Sequence, residues 1–345
     1  MGILYKYILK PIAFLFPPDF VHTIFVSFGE ISGRFYIGRL FVRFLYGKPP
    51  AGKQYVVDGI TYKSRVLLSA GFDPDGQLVR ILSSVGFGGE EVGSVTARYC
   101  EGNPKPRLTR LKQHKSIVVF KGLRNKGVDA LISKIKKTPH EDGFVVGISI
   151  ARTNDQKSGE VDSGIADYLY SYKRLNEEGV GDYYTINISC PNSFSGECFL
   201  EPVYLEKLLT VLSEIPTEKP VYIKMPINKT WSEIEALLEV VKRFDFVKGI
   251  VIGNLNKNYS TVDKTERPKN WRGGLSGKPC GELSTEYIRN IKQTYGERFT
   301  IIGCGGIFSV ADAQKKIDAG ADLLQLITGM IFEGPQIINE INRVI

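Results

Sequence analysis

Apolar and polar positions alternate along the chain in a pattern that predicts repeated strand–helix units from residue 66 onward. Short apolar runs have the length and composition of buried strands, and amphipathic stretches of helical period separate them. The predicted strands are residues 66–70, 91–95, 145–150, 183–188, 221–225, 249–252, 300–303 and 323–327. The predicted helices include residues 163–178, 204–214, 231–244, 285–295, 310–319 and 335–344. Eight strand–helix units in about 280 residues favour a (β/α)8 TIM barrel over a doubly wound sheet.

Residues 1–54 have a different pattern, with aromatic, apolar stretches at 3–16, 20–32 and 35–46. The first stretch is shorter than the ~20 residues that a membrane-spanning helix needs. Pro17-Pro18-Asp19 is expected to break the chain and cap a second helix. Phenylalanine-rich amphipathic helices flanked by cations are typical of a module that lies in a membrane interface. The alternative is a helical cap packed on the barrel. The chain is therefore divided into an extension, 1–54, and a barrel, 55–345.

Composition agrees with a globular protein, since 43% of the 345 residues are hydrophobic and 24% are charged. The net charge of +8 is concentrated at the start, where residues 1–54 hold seven Lys or Arg against two acidic residues. The nearly balanced remainder argues against a nucleic-acid-binding surface on the barrel. The five cysteines form no C-x-x-C pair. A reduced compartment fits this pattern best, and no metal site is expected.

The hexapeptide Asn187-Ile188-Ser189-Cys190-Pro191-Asn192 carries the most pointed candidate chemistry. Pro191 cannot continue a strand, so Cys190 is expected in a loop directly after strand four. Two amide side chains around one titratable group suit a flat substrate with donors and acceptors on its rim. The alternative is that Cys190 is a small hydrophobic residue in the core.

Glycines and one lysine mark other strand ends. Gly303-Cys304-Gly305-Gly306-Ile307 and Thr328-Gly329 follow strands seven and eight, where barrels commonly bind phosphate through backbone N–H groups. Gly273–Gly277, in the loop after strand six, is expected to form a second glycine cradle. Lys224 ends strand five and is costly there unless it meets an anion or an electron-rich ring. Otherwise its side chain would extend to the solvent at the barrel rim.

Taken in order, these motifs resemble the dihydroorotate dehydrogenase family, in its membrane-associated, quinone-reducing class 2. The resemblance extends over nearly the full length. Besides the motifs above, it rests on His22, Ala70-Gly71-Phe72-Asp73, Asp75-Gly76, Gly86-Phe87-Gly88, Gly93-Ser94-Val95-Thr96, Gly102-Asn103-Pro104-Lys105-Pro106-Arg107-Leu108 and Gly334-Pro335. It implies that FMN takes a hydride from dihydroorotate, that a side-chain base removes the neighbouring proton and that a quinone takes the electrons. It also implies a peripheral membrane protein, on the cytoplasmic face of the inner membrane in a bacterium or on the mitochondrial inner membrane in a eukaryote.

The resemblance also implies roles for single residues. Cys190 and Lys224 would be catalytic, with Cys190 at the base position, where class 2 members normally have serine and class 1 members have cysteine. A thiol is the better base near neutral pH, because its ordinary pKa is about 8.5. The residues expected to hold FMN are Ala70, Gly71, Ser94, Ser149, Asn187, Lys224, Gly277, Gly305, Gly306, Thr328 and Gly329. The resemblance implies that Asn187, Asn192 and Asn254 hold the substrate. Lys121, Gly122 and Leu123, in the altered loop of this chain, are further substrate-binding candidates. His22 and Arg107 are expected to line the quinone path.

The chain departs from the family pattern at five positions, Pro74, Val119, Ser149, Leu255 and Ile327. They stand where the family has a lysine, an asparagine, a second asparagine, a hydroxylated residue and a tyrosine. Losing a cation and an amide that hold orotate would cost ~2–5 kcal/mol of binding if their partners stay buried. One hypothesis is that Lys121 or Arg124, new cations in the altered loop, restores the lost charge. The alternative is that both point to solvent.

Three functions follow from these observations. The first is FMN-dependent oxidation of dihydroorotate with a quinone as acceptor, in pyrimidine biosynthesis. The second is an FMN oxidoreductase of the same fold that acts on another dihydro or unsaturated ring, which Pro74, Val119 and Leu255 favour. The third is a flavin-binding, membrane-associated paralogue without catalysis. Retention of Lys224, the asparagines and a competent base argues against the third.

Overall fold

A computed structural model describes residues 2–47, 52–192, 196–268 and 272–345. The junction at residues 48–51, between the predicted extension and the barrel, lies outside the described residues.

Eight parallel strands close into a barrel in the order β10-β12-β13-β3-β4-β7-β8-β9. The strands in chain order are β1 (Tyr55–Val57), β2 (Ile60–Tyr62), β3 (Val66–Leu68), β4 (Gly89–Val95), β5 (Leu108–Leu111), β6 (Ser116–Val119), β7 (Val145–Ile150), β8 (Tyr183–Asn187), β9 (Val221–Met225), β10 (Val247–Ile252), β11 (Gly274–Gly277), β12 (Thr300–Cys304) and β13 (Leu323–Leu326). Each of the eight predicted strands corresponds to one barrel strand. The predicted TIM barrel is therefore confirmed.

Six of the barrel helices occupy the predicted amphipathic stretches, whereas those at residues 82–85, 128–136 and 328–333 were not among the stretches named. The helices bury apolar side chains in the core around the strands. They are α5 (Leu82–Val85), α6 (Val128–Lys136), α7 (Val161–Glu177), α8 (Pro202–Ser213), α9 (Trp231–Val241), α10 (Gly281–Tyr295), α11 (Val310–Asp318), α12 (Thr328–Glu333) and α13 (Gln336–Asn342). Four 3₁₀ turns lie at Cys198–Leu200, Tyr259–Thr261, Lys264–Glu266 and Lys278–Cys280. Thr230 and Glu233 begin α9 with a reciprocal capping box, which satisfies two backbone donors at the helix start.

The chain begins with the helical extension, which we define as residues 2–46. It consists of α1 (Gly2–Leu4), a π-helical turn (Tyr5–Leu9), α2 (Lys10–Ala13), α3 (Pro18–Arg34) and α4 (Tyr36–Tyr46). The expected cap by Asp19 is wrong, because no side chain caps the start of α3. Its Oδ2 instead accepts from the backbone N–H groups of Arg107 and Leu108, at 3.1 and 3.3 Å. This contact ties α3 to β5.

A three-stranded antiparallel sheet, β11-β6-β5, lies outside the barrel and was not predicted. Gly274 to Gly277 pair in order with Val119 to Ser116. The expected glycine cradle at 273–277 is therefore mostly a strand, and only its last two residues, Ser276 and Gly277, reach the cavity wall described below. A second unpredicted element is the β1–β2 hairpin, whose turn residues Asp58 and Gly59 both have positive φ. Such a turn matches the twist of a two-residue hairpin.

Candidate active site

One cavity opens at the carboxyl ends of the barrel strands, between the three-stranded sheet and the helical extension. Nearly every strand end named in the sequence pattern contributes to its wall. The wall includes Ala70, Gly71, Ser94, Gly122, Leu123, Asn187, Cys190, Asn192, Lys224, Asn254, Gly277, Gly305, Gly306, Thr328 and Gly329. The structure thus brings together most of the predicted site residues, which come from all parts of the barrel sequence.

Cys190 lies in the loop after β8, as Pro191, the residue directly after it, predicted. Its side chain lines the cavity and is partly exposed. Desolvation of the thiol in the cavity wall raises the pKa of Cys190 to about 11. The thiol form therefore predominates at neutral pH, and this weakens the expectation that its ordinary pKa makes it a ready base.

The asparagines form a connected network on the cavity floor. Asn187 Nδ2 donates to Ser94 Oγ at 2.8 Å, and Asn254 Nδ2 donates to Asn187 Oδ1 at 3.3 Å. Asn254 also donates to Ser189 Oγ at 3.0 Å, and this hydroxyl donates to the Lys224 carbonyl at 2.8 Å. Because each amide is held by its neighbours, the floor is preorganised before any ligand binds.

Asn192, the last residue of the hexapeptide, also lines the cavity. Its Nδ2 donates to the carbonyl of Val119 at 2.9 Å, and its own carbonyl accepts from Asn103 at 3.1 Å. Position 119 has lost an amide side chain, yet its backbone still orients Asn192. The buried Oδ1 of Asn192 has no hydrogen-bond partner within the described residues. An unpartnered buried acceptor in a cavity wall marks a place where a ligand N–H would be stabilised.

Lys224 is buried at the end of β9, beside Asn187 in the register of the barrel. Its Nζ lies 3.6 Å from Glu91 Oε1 and 3.5 Å from Ser69 Oγ. The Glu91 carboxylate is itself fully buried and accepts from Thr185 and Gln325, each at 2.8 Å. The alternative that Lys224 extends to the rim is therefore wrong. Its charge has an internal counterion, which sequence reasoning missed.

Bare backbone forms two parts of the cavity wall. Gly71 has a φ of +104°, and a Cβ added there would meet nothing within 4 Å, so its face is open to a flat ligand. At the other end, Gly306 packs so closely on Gly281 that an added Cβ would lie 2.1 Å from the Gly281 Cα. Only glycine fits there, and the loop can present backbone N–H groups to an anion.

His22 and Lys121 both line the cavity and hold neighbouring carbonyls of the loop after β3. His22 Nε2 donates to the Phe72 carbonyl at 2.7 Å, and Lys121 Nζ donates to the Gly71 carbonyl at 2.7 Å. Burial, with Lys121 nearby, lowers the pKa of His22 to about 3. The imidazole is therefore neutral at physiological pH and carries its proton on Nε2.

Two predicted site residues do not line the cavity. The Arg107 guanidinium donates to the carbonyls of Asn103 and Glu101, at 2.6 and 2.9 Å. Ser149 is fully buried behind Ser94, and the two hydroxyl oxygens are 2.7 Å apart. Arg107 therefore braces the loop before β5, and Ser149 supports Ser94. Neither residue lines the cavity as the resemblance implies; each supports a neighbouring part of the structure instead.

Four of the five departures from the family pattern lie in the cavity wall, namely Pro74, Val119, Leu255 and Ile327. All four replace a polar group with an apolar one. Sequence reasoning missed Glu91, Ser189 and Asn103, which orient the site. Glu91 could have been found from the sequence, because Glu90 and Glu91 are two adjacent acids inside an otherwise apolar strand.

Comparisons with known proteins agree with the barrel fold. The family model for dihydroorotate dehydrogenase matches residues 54–345. A relative from Christiangramia forsetii, named dihydroorotate dehydrogenase (quinone), is 33% identical over 344 residues and is covered over 98% of its length, with 99% of this chain aligned. A second, from Legionella pneumophila and of the same name, is 30% identical over 97% of both chains. The crystal structure of DHODH in complex with ferulenol from Eimeria tenella matches with a TM-score of 0.79 at 22% identity, over 94% of this chain and 90% of that one.

Proposed function

The chain belongs to the dihydroorotate dehydrogenase family and is an oxidoreductase. We propose that it oxidises dihydroorotate, with FMN as the cofactor and a quinone as the electron acceptor. The observation that carries the proposal is that one cavity wall holds Cys190, three asparagines and Lys224 together. A base beside a set of oriented amides suits a ring that must lose a proton while its rim is held.

The cavity wall fits a flavin mononucleotide. Gly71 and Ala70 offer bare backbone for a flat ring, and Ser94, Asn187 and Lys224 line the wall nearby. Gly305, Gly306, Thr328 and Gly329 stand at the far end, where a phosphate would meet backbone N–H groups. FMN, when bound, supplies the hydride acceptor.

The chain's own residues supply the rest of the chemistry. Asn187, Asn192 and Asn254 hold the ring substrate, and the unpartnered Oδ1 of Asn192 accepts a ring N–H. Cys190 Sγ takes the proton from the carbon beside the one that loses the hydride. Lys224 keeps a positive charge under the cofactor end of the cavity, with Glu91 fixing its position at 3.6 Å. Lys224, Asn187 and Asn192 are buried, and charges and dipoles interact more strongly in such surroundings than in water.

The helical extension is proposed to admit the quinone from a membrane surface. The cavity continues from the site to His22, beneath α3, along a wall that includes Leu108, Ile117 and Ile331. No helix among the described residues is both long and apolar enough to cross a bilayer. The extension nevertheless exposes many large apolar side chains, including Phe28, Phe41 and Phe44. Such a face supports peripheral contact with a membrane.

A second candidate function is oxidation of a different dihydro ring by the same machinery. The observation that favours it is the position of Pro74, Val119 and Leu255, which are all in the cavity wall and all apolar. These three residues alter the substrate side of the cavity more than the flavin side. A ring with fewer polar substituents would bind such a wall with less desolvation cost.

Anaerobic mixing of the purified protein with dihydroorotate separates the two functions. We expect a yellow protein whose flavin absorbance band bleaches on mixing and returns when a quinone is added. Dithionite serves as the control that the flavin is reducible. Bleaching by dithionite without bleaching by dihydroorotate would contradict the first function and favour the second. A colourless protein that does not take up FMN would contradict both.

A further inference from the structure

We propose that the Lys121 ammonium binds the carboxylate of the ring substrate, and so replaces a cation that the loop after β3 does not provide. The inference rests on the proposed function, because it concerns how this cavity holds dihydroorotate and its product. It assigns substrate selectivity to one side chain of the loop between β6 and α6.

The charged side chains of the cavity point to an anionic ligand. Lys121, Arg124 and Lys224 line the wall, and no aspartate or glutamate among the described residues does so. Lys224 already has Glu91 as its counterion. His22 is neutral, as its low pKa shows. The charge available for a substrate carboxylate therefore belongs to the loop that carries Lys121 and Arg124.

Lys121 is fixed in place, which a binding cation requires. Its Nζ donates to the Gly71 carbonyl at 2.7 Å, in the loop that also carries Pro74. Its backbone carbonyl accepts from the Asn103 N–H at 3.0 Å. The next carbonyl, of Gly122, accepts from Asn154 at 3.1 Å. Both ends of the residue are thus held, and the ammonium enters a wall shared with Pro74 and Val119.

An ammonium group has three N–H donors, and the Gly71 carbonyl accepts only one of them. The other two suit a carboxylate, which forms stronger hydrogen bonds with a charged donor than with a neutral one. Arg124 is exposed, whereas Lys121 is partly buried. A carboxylate at Lys121 would therefore be less screened by water than one at Arg124.

The surroundings keep Lys121 sensitive to a bound anion. Burial lowers the pKa of Lys121 to about 8, and Arg124 and Arg107 add to the lowering, while Asp19 and Asp73 oppose it. The side chain is mostly charged at pH 7 but lacks a close carboxylate partner among the described residues. A substrate carboxylate would supply the missing negative charge.

The competing role for Lys121 is purely structural, as a brace for the Gly71 carbonyl. The two roles predict different effects on the affinity of a ligand that lacks a carboxylate. A brace affects every ligand that lies against Gly71, including FMN. A carboxylate-binding cation affects only ligands that carry the carboxylate.

The test compares Lys121→Met, Lys121→Arg and a matched control, Lys126→Met, all loaded with FMN. Lys126 lies in the same loop, is exposed and does not line the cavity. Two ligands are titrated against the flavin absorbance spectrum: orotate, and uracil, which is the same ring without the carboxylate. The affinity of each apoprotein for FMN is measured separately by flavin fluorescence.

We expect Lys121→Met to weaken orotate binding by about 10- to 100-fold, the loss of one charge-assisted hydrogen bond. Uracil and FMN affinities should change less than about twofold, and Lys121→Arg should recover most of the orotate affinity. Unchanged orotate affinity in Lys121→Met would overturn the inference, as would equal losses for orotate, uracil and FMN. If the wild type neither binds orotate nor is reduced by dihydroorotate, the proposed function fails first, and the inference fails with it.

Discussion

At the scale of single residues, the environment changes what a side chain can do. Cys190 was expected to be a base because an ordinary thiol ionises near neutral pH, yet burial raises its pKa to about 11. The thiolate is therefore a minor form at pH 7, and it becomes more abundant at higher pH. A base acts only when deprotonated, so the sign of the pH dependence follows directly.

We expect the rate of flavin reduction at saturating dihydroorotate to rise with pH between 7 and 10, up to about tenfold per pH unit. Anaerobic stopped-flow measurement of flavin bleaching checks this. Cys190→Ala should slow the step by about 10²- to 10⁴-fold without loss of FMN. Cys198→Ala is the matched control, since Cys198 is partly exposed and lies outside the cavity wall. A flat pH profile with wild-type rates in Cys190→Ala would exclude Cys190 as the base.

At the scale of elements, the helical extension has two different sides, and its sequence had allowed either a cap on the barrel or a module in a membrane interface. One side packs on the barrel: Tyr5 donates to the Ile331 carbonyl at 2.7 Å, and Lys10 donates to the Phe332 carbonyl at 2.9 Å. Arg110 donates to the Phe16 carbonyl at 2.8 Å and lies over the Phe14 ring. The other side is apolar and exposed. The extension is thus a cap on the barrel, and contact of its exposed side with a membrane stays a prediction.

Asp19 is the polar contact that ties α3 to the strand β5, so its removal should loosen the extension. We expect Asp19→Ala to make hydrogen exchange in α3 about 5- to 30-fold faster, corresponding to ~1–2 kcal/mol. Hydrogen exchange measured by mass spectrometry checks this. Asp162→Ala is the control, because Asp162 is likewise in the first turn of a 17-residue helix but is exposed. Equal exchange in the two variants would show that Asp19 does not hold the helix.

At the scale of the whole molecule, charge and apolar surface are both concentrated at one end. The helical extension carries most of the exposed large hydrophobic side chains, and its sequence carries the local excess of Lys and Arg. The cavity continues to His22 beneath this same end. A membrane-dissolved electron acceptor would therefore reach the site by a short route.

Vesicle binding tests this arrangement. The triple variant Leu15→Ser, Ile37→Ser and Phe44→Ser removes side chains that are each about four-fifths exposed. We expect co-sedimentation with vesicles of mixed neutral and anionic lipid to weaken by about 100-fold or more, since each side chain contributes at least ~1 kcal/mol when buried in lipid. Bleaching by dihydroorotate should be unaffected.

A control triple variant, Val56→Ser, Val203→Ser and Val344→Ser, changes exposed apolar residues outside the extension. It should bind vesicles like the wild type. If the two triple variants lose binding equally, or if neither does, the extension is not the membrane-contacting surface.

The sequence alone determined the barrel and most of the site. A strand buried on both faces needs a continuous apolar run, so the eight strands were visible in the pattern. The carboxyl ends of parallel strands meet at one face of the barrel, so Cys190, Asn254 and Gly306 were expected together from their positions alone. Local geometry also made two roles predictable: glycine at 306 allows a close backbone approach, and Pro191 cannot continue a strand.

Only the tertiary structure decided how these groups are charged and held. The Glu91–Lys224 pair joins strands far apart in the chain, and no local pattern specifies a partner across a barrel. The sheet formed by β5, β6 and β11 likewise depends on the pairing of β6 with β11, which are more than 150 residues apart. The glycine-rich sequence of β11 is typical of a loop. The pKa of Cys190 and the contact of Lys121 with Gly71 depend on burial and distance. The physical reason is that periodicity is a property of neighbours in sequence, whereas desolvation and electrostatic interaction are properties of neighbours in space.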